Sequence, residues 1–170
     1  MGYANGEKLS VSLQKQAHIL IYGKTGTGKS ALLKRLVTQL VQKNEKKSIR
    51  IVPMKVDEEF LCDLSELSMD QQVDTIEELS LKIENLWHDM FARYDLLRTS
   101  NISSYAQLQH CCFGEELPII IAVFDSIDEK DLSADDISRL ITVLHIGHSV
   151  GIHVLFATST PEQLDLRLVD

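Results

Sequence analysis

Residues Gly23–Ser30 read GKTGTGKS, between the apolar run His18-Ile19-Leu20-Ile21-Tyr22 and the helix-like stretch Ala31-Leu32-Leu33-Lys34-Arg35-Leu36-Val37. A buried strand, a glycine-rich loop and an amphipathic helix in that order are the setting of a P-loop. Glycines at Gly23, Gly26 and Gly28 let the backbone curl, so that N–H groups from Gly23, Lys24, Thr25, Gly26, Thr27, Gly28, Lys29, Ser30 and Ala31 can face phosphate oxygens. The first turn of the next helix adds unpaired donors and the positive end of its dipole. Lys29 then reaches the β- and γ-phosphates, and the Ser30 hydroxyl ligates Mg²⁺. The expected ligand is ATP with Mg²⁺.

The rest of the chain fits the α/β class that such a loop requires. Short apolar segments alternate with longer helical patterns, which predicts a mostly parallel sheet flanked by helices. The expected strands are His18–Tyr22, Arg50–Val56, Pro118–Phe124 and His153–Ala157, with a small edge strand over Lys8–Leu13. HILIY and PIIIAVF are continuously apolar, as central strands covered on both faces are. Three helices are expected. The first, Lys29–Gln42, puts Leu32, Leu33, Leu36, Val37, Leu40 and Val41 on one face. The second, Gln72–Arg98, repeats Val73, Ile76, Leu79, Ile83, Leu86, Met90, Tyr94 and Leu97 every three or four residues. Trp87 and Phe91 lie on it at i, i+4 spacing and are read as core anchors. The third starts at Ser133, where Ser-Ala-Asp-Asp resembles a capping box, and stops near Gly151.

Bulk properties narrow the function. The 170 residues fit one domain, and 44% hydrophobic content suits a globular core. No run approaches the ~20 apolar residues of a membrane span and no signal peptide opens the chain, so a cytoplasmic setting is expected. A net charge of −8 argues against a strongly basic nucleic-acid-binding domain, although a local basic patch on an oligomer remains compatible with it. The cysteines, Cys62, Cys111 and Cys112, lack the paired spacing of zinc sites and suit a reducing compartment. His110-Cys111-Cys112 and the pair His145 and His148 are read as structural or solvated, not as metal sites. His18 and His153 are read as hydrogen-bonded structural residues. Lys43–Lys47 is read as a solvated mixed-charge turn.

A Mg²⁺-dependent ATPase also needs a carboxylate at the end of a buried strand, and Asp125, closing PIIIAVFD, is placed for that role. Lys29 and Asp125 form the expected catalytic pair, with Ser30 and Asp125 holding the metal. The next residue is Ser126, which cannot act as a general base at neutral pH without an activating partner. Asp128 and Glu129 are read as solvated loop charges.

Four blocks together resemble the FtsK/SpoIIIE family of RecA-like motor ATPases. They are the lead-in and P-loop GEKLSVSLQKQAHILIYGKTGTGKS, the stretch MFARYDLLRTSNISSY (Met90–Tyr105), the strand Leu117–Asp125, and GIHVLFATSTP (Gly151–Pro161). They lie in the family's order and are spread over most of the chain, from Gly6 to Pro161. The resemblance implies one RecA-like ATPase core over residues 1–170, as part of a larger, membrane-anchored machine. It also implies a ring homo-oligomer that moves a polymer, usually double-stranded DNA. Ring contacts in the family extend beyond the minimal core, so this chain alone is expected to be monomeric or weakly associating.

Departures from the family cluster where catalysis should be. Ser126 replaces the catalytic glutamate, Ser159 and Thr160 stand where the family has Gln-Arg, and His148 occupies a usual arginine position. The Asp-Pro-Lys after the second strand is absent, since the chain reads Met54-Lys55-Val56-Asp57. An intact P-loop with degraded hydrolytic groups resembles the degenerate domains of type VII secretion ATPases of this family (EssC and EccC). The two expectations are therefore an ATP-driven DNA translocase domain and a nucleotide-binding, hydrolysis-poor domain of a secretion ATPase. A small-molecule kinase ranks below both, because no Arg-rich lid or acceptor-site signature is present.

Overall fold

The computed structural model describes residues 2–4, 7–9, 13, 17–43, 49–57, 60, 75–103, 105–110, 117–125 and 131–159. Along the chain run β1 (Gly2–Ala4), β2 (Glu7–Leu9), β3 (Ile19–Tyr22), α1 (Lys29–Lys43), β4 (Ile49–Lys55), α2 (Ile76–Thr99), α3 (Tyr105–His110), β5 (Ile119–Asp125), α4 (Ala134–Ile146), a 3₁₀ turn (Gly147–Val150) and β6 (Ile152–Thr158). β3, β6, β5 and β4 form a four-stranded parallel sheet in that order, while β1 and β2 pair antiparallel in a separate ribbon. Parallel pairing with helical crossovers explains the alternating sequence pattern.

Strand alternation divides the core between the two faces. Ile121 and Val123 of β5, with Leu155 and Ala157 of β6, join Leu33, Val37 and Val41 of α1. Ile120, Ala122 and Phe124, with Ile152, Val154 and Phe156, join α2 and α4 through Leu79, Ile83, Met90, Leu140 and Val143. The Phe124 and Phe156 rings stack at 4.7 Å between centroids. β4 is covered likewise, by Val52 and Met54 on one face and Ile49 and Ile51 on the other, so β4, β5 and β6 are all packed on both faces.

Several expectations need correction. HILIY is not a central strand: β3 pairs only with β6 among the described residues, its side chains are half-buried, and Tyr22 is 70% exposed. Its apolar run still serves both faces, Leu20 packing against one core cluster and Ile19 and Ile21 against the other. Leu32 of α1 faces solvent. The long helix starts at Ile76, not Gln72, because extended Thr75 caps it and accepts from the Glu78 N–H at 3.2 Å. Ile76 and Tyr94 fall outside its buried stripe, which instead includes Arg93. Phe91 is exposed rather than a core anchor, and Trp87 packs only partly against the core, with the two rings 4.6 Å apart. α3 has no counterpart among the helices that the sequence pattern predicts.

Ser133 caps α4 in a complete capping box with Asp136, as expected, but α4 itself ends at Ile146, and it is the following 3₁₀ turn that Gly151 ends in the left-handed region (φ 77°). Pro53 sits in β4, at the sheet edge among the described strands, where register shifts between Pro53 and Lys55. Of the edge strand expected over Lys8–Leu13, Lys8 and Leu9 belong to β2, which pairs with β1 and not with the main sheet. The Lys43–Lys47 turn, Cys62, Cys111 and Cys112 lie outside the described residues, apart from Lys43 as the last residue of α1. No described helix is long and apolar enough to cross a membrane.

Histidines gather at the N-terminal edge of the sheet. His153 Nδ1 lies 2.6 Å from the Ala17 carbonyl and donates to it, while His18 Nδ1 accepts from the Val154 N–H at 3.0 Å. The His18 ring is 6.3 Å from those of His148 and His153. Accepting at Nδ1 places the neutral-state proton of His18 on Nε2, which is buried without a hydrogen bond of normal geometry. A second proton would face the Val154 N–H. Burial, His153 and His148 lower the His18 pKa to about 4, against the opposing Leu144 carbonyl, and burial also lowers that of His153. A folded-state pKa below the unfolded value makes the unfolded chain bind more protons. The stability is therefore present above pH 6.5 and is lost as pH falls toward 4. Urea melts should show a loss on the order of 1–2 kcal/mol between pH 7 and 5. His18→Asn, which keeps an acceptor for Val154 without a titratable ring, should flatten that slope. An equal slope in the variant would remove His18 as its source.

Candidate nucleotide-binding site

All four sheet strands run parallel, so their C-terminal ends meet at one edge, where ligands of open α/β sheets bind. The loop after β3 is built for phosphate. Gly26 and Gly28 have φ of 81° and 86°, which L side chains rarely adopt. Gly23 is favoured for a different reason: a Cβ there would crowd Thr27 Oγ1 at 3.0 Å. Thr27 in turn closes the loop, its backbone N–H and its hydroxyl both donating to the Lys24 carbonyl, at 3.2 and 2.7 Å. Lys29 Nζ donates to the same carbonyl at 3.2 Å, which holds the cation across the loop.

Beside this loop is a cleft of about 430 Å³, lined by Thr25, Gly26, Gly28, Lys29, Ser30, Ala31, Lys34, Asp57, Phe60 and Ser159. The cleft brings together most of the residues singled out from the sequence. Gly23, Lys24 and Thr27 shape the loop behind it. The first turn of α1 carries no acidic residue, so no side chain there neutralises the positive end of the dipole or repels an anion. Lys29 and Lys34 add positive charge to the wall. Amide donors, a helix N-terminus and ammonium groups match a polyphosphate in both shape and sign.

Asp125 ends β5 with only 6% exposure and does not line the cleft. It stands at the same sheet edge as the loop, which fits a carboxylate acting through the Mg²⁺ shell. Ser159 lines the cleft directly, whereas Thr160, Ser126, Asp128 and Glu129 lie outside the described residues. His145 and His148 are exposed, and His148 lies beside His18 at the opposite edge of the sheet.

Three cleft residues escaped the sequence reading: Lys34, Asp57 and Phe60. Lys34 was accessible in principle, since it lies one helical turn beyond Ser30. Asp57 follows the C-terminal end of β4, a position that becomes informative only once the sheet is known to be parallel.

A parallel sheet with helices on both faces and a glycine-rich phosphate loop between β3 and α1 defines a RecA-like P-loop ATPase fold. The FtsK/SpoIIIE family profile matches residues 2–124, and the chain belongs to that family. It is 28% identical over 164 residues to a DNA translocase FtsK of Campylobacter jejuni (strain 81-176), with 92% of this chain aligned. The chain spans 17% of that relative's length. Among solved structures it is similar to Thermomonospora curvata EccC (ATPases 2 and 3) in complex with a signal sequence peptide (TM-score 0.81, 18% identity, 93% of this chain and 30% of that one). It is also similar to the cytoplasmic domain of EssC (TM-score 0.76, 22% identity, 89% of this chain and 30% of that one).

Proposed function

We propose that residues 1–170 are a single ATP-binding motor core that couples nucleotide binding and slow hydrolysis to movement of double-stranded DNA. The carrying observation is the loop at the head of α1, where two positive-φ glycines and Lys29 border a polyphosphate-sized cleft. Gly23–Ala31 would hold the nucleotide, and Lys29 would neutralise charge on its outer phosphates. Ser30 and Asp125 would hold Mg²⁺, which when bound screens the phosphates and helps the terminal one depart. The DNA substrate is supported by family membership and the named FtsK relative. By the same analogy the setting is cytoplasmic, in a membrane-anchored parent that assembles as a ring. This chain alone would be monomeric or weakly associating, and light scattering at micromolar concentration should find no stable hexamer.

A second reading is a hydrolysis-poor domain of a type VII secretion ATPase, favoured by Ser126, Ser159, Thr160 and His148 at positions where the family is catalytic. Lys29→Ala tests what the two share. Removing the cation should weaken MgATP binding at least about tenfold, or 1.4 kcal/mol, by calorimetry. Equal affinity would remove the nucleotide assignment. Phosphate release with and without long duplex DNA separates the readings. Stimulation by DNA that Lys29→Ala abolishes supports translocation, and a rate indifferent to DNA supports the secretion domain.

A further inference from the structure

Asp57 is the one carboxylate among the described residues that line the cleft, and neither the loop nor Asp125 accounts for it. It lies two residues past the C-terminal end of β4, at the edge where β3 gives way to the phosphate loop and β5 ends in Asp125. Its carboxylate is oriented: Oδ1 accepts the N–H of Phe60, three residues on, at 2.7 Å, which fixes the side chain against its own backbone. Phe60 is itself anchored. Its ring is 2% exposed and packs in one cluster with Leu33 and Val37, on the helix that begins with Lys29 and Ser30. The carboxylate and the phosphate loop are therefore tied to the same rigid body. A carboxylate has about four acceptor positions, so the Phe60 N–H leaves capacity for a water in the cleft.

We propose that Asp57 is the general base of this site, taking the place of the carboxylate that Ser126 cannot supply. The proposal rests on the ATP-binding reading above. In the step, a water oxygen bonds to the γ-phosphorus as the bond from that phosphorus to the β–γ bridging oxygen breaks. ADP leaves with that electron pair, and the water's proton passes to Asp57 and then to solvent or the released phosphate. Lys29 balances the charge gathering on the phosphoryl oxygens. Asp125, buried outside the cleft lining, is placed for the metal shell, not for the attacking water.

The experiment compares the wild-type chain with Asp57→Asn and Asp57→Glu, measuring MgATP affinity by calorimetry and phosphate release under single-turnover conditions. Asparagine keeps the size and the acceptor for the Phe60 N–H, so its melting temperature and its Kd for MgATP should match the wild type within about twofold. Its phosphate release should fall by about 10²-fold or more, the usual contribution of a general base. Asp57→Glu, which restores a carboxylate, should release phosphate faster than Asp57→Asn. Wild-type release in Asp57→Asn overturns the proposal, as does a parallel loss of affinity and rate, which would make Asp57 a binding residue. A wild-type chain that binds MgATP but releases no phosphate above background overturns it while leaving the ATP-binding reading intact. Failure of the wild type to bind MgATP removes both.

Discussion

Gly151→Ala should destabilise the fold by about 3 kcal/mol or more, read as a large drop in the urea midpoint, because two costs act at one position. At φ 77°, a side chain adds roughly 1–2 kcal/mol of backbone strain. A Cβ would also lie 2.5 Å from both Cε1 and Cζ of Tyr105, a distance that requires something to move. Tyr105 is poorly placed to yield. It is buried, its hydroxyl donates to the Leu117 carbonyl at 2.6 Å, and the Arg93 guanidinium lies 5.7 Å above its ring. Overpacking of a fixed ring typically costs another 1–3 kcal/mol. Tyr105→Leu in the Gly151→Ala background should recover part of the overpacking cost and none of the backbone strain. The double mutant should therefore be less destabilised than the sum of the two single variants. A Gly151→Ala chain within 1 kcal/mol of wild type would mean that Tyr105 has another place to go.

This joint lies at the sheet edge away from the phosphate loop, and the fold divides its labour accordingly. At the N-terminal edge, Gly151, Tyr105, Arg93 and the histidines fix how β5 and β6 enter the sheet. At the C-terminal edge, Gly26, Gly28, Lys29, Asp57 and Ser159 face the cleft. Substitutions at the first edge should change stability, while ATP affinity per folded molecule stays the same.

The sequence carried the site's centre plainly because its chemistry is local. Gly23–Ser30 is one continuous segment, and its glycine positions follow from the turn it makes. PIIIAVF and the Ser133 cap were legible for the same reason, since periodicity and capping act over a few residues. The errors arose where tertiary context decides. HILIY has the composition of an inner strand, yet β3 has only one described neighbour. The repeat on α2 could not distinguish Tyr94 from Arg93, because apolar spacing assigns the buried position to the tyrosine. Only the carbonyls waiting at the sheet edge make the arginine the better occupant. Asp57 reaches the cleft through strand order, which no local pattern encodes.

Arg93 provides the second large effect, and Arg93→Met should cost about 3–5 kcal/mol. Arg93 is 6% exposed, on the buried face of α2. Nη2 donates to the Pro118 carbonyl at 2.8 Å, just before β5, and Nη1 donates to the Val150 carbonyl at 3.0 Å, just before β6. One planar group thus ties α2 to the entry of both central strands. Burial lowers its pKa from the usual arginine range, while Tyr105 and Asp89 favour the charged form. Methionine fills most of the volume, so the loss should come mainly from two carbonyls deprived of a charged donor. Lysine keeps the charge but cannot reach both carbonyls as a fork, and Arg93→Lys should fall between wild type and Arg93→Met. Urea denaturation of the three chains at pH 7.5, with MgATP affinity measured on the folded fraction, gives the test. A methionine variant as stable as the wild type would mean that the carbonyls find other donors. Weakened ATP binding at unchanged stability would show instead that this edge of the sheet communicates with the cleft.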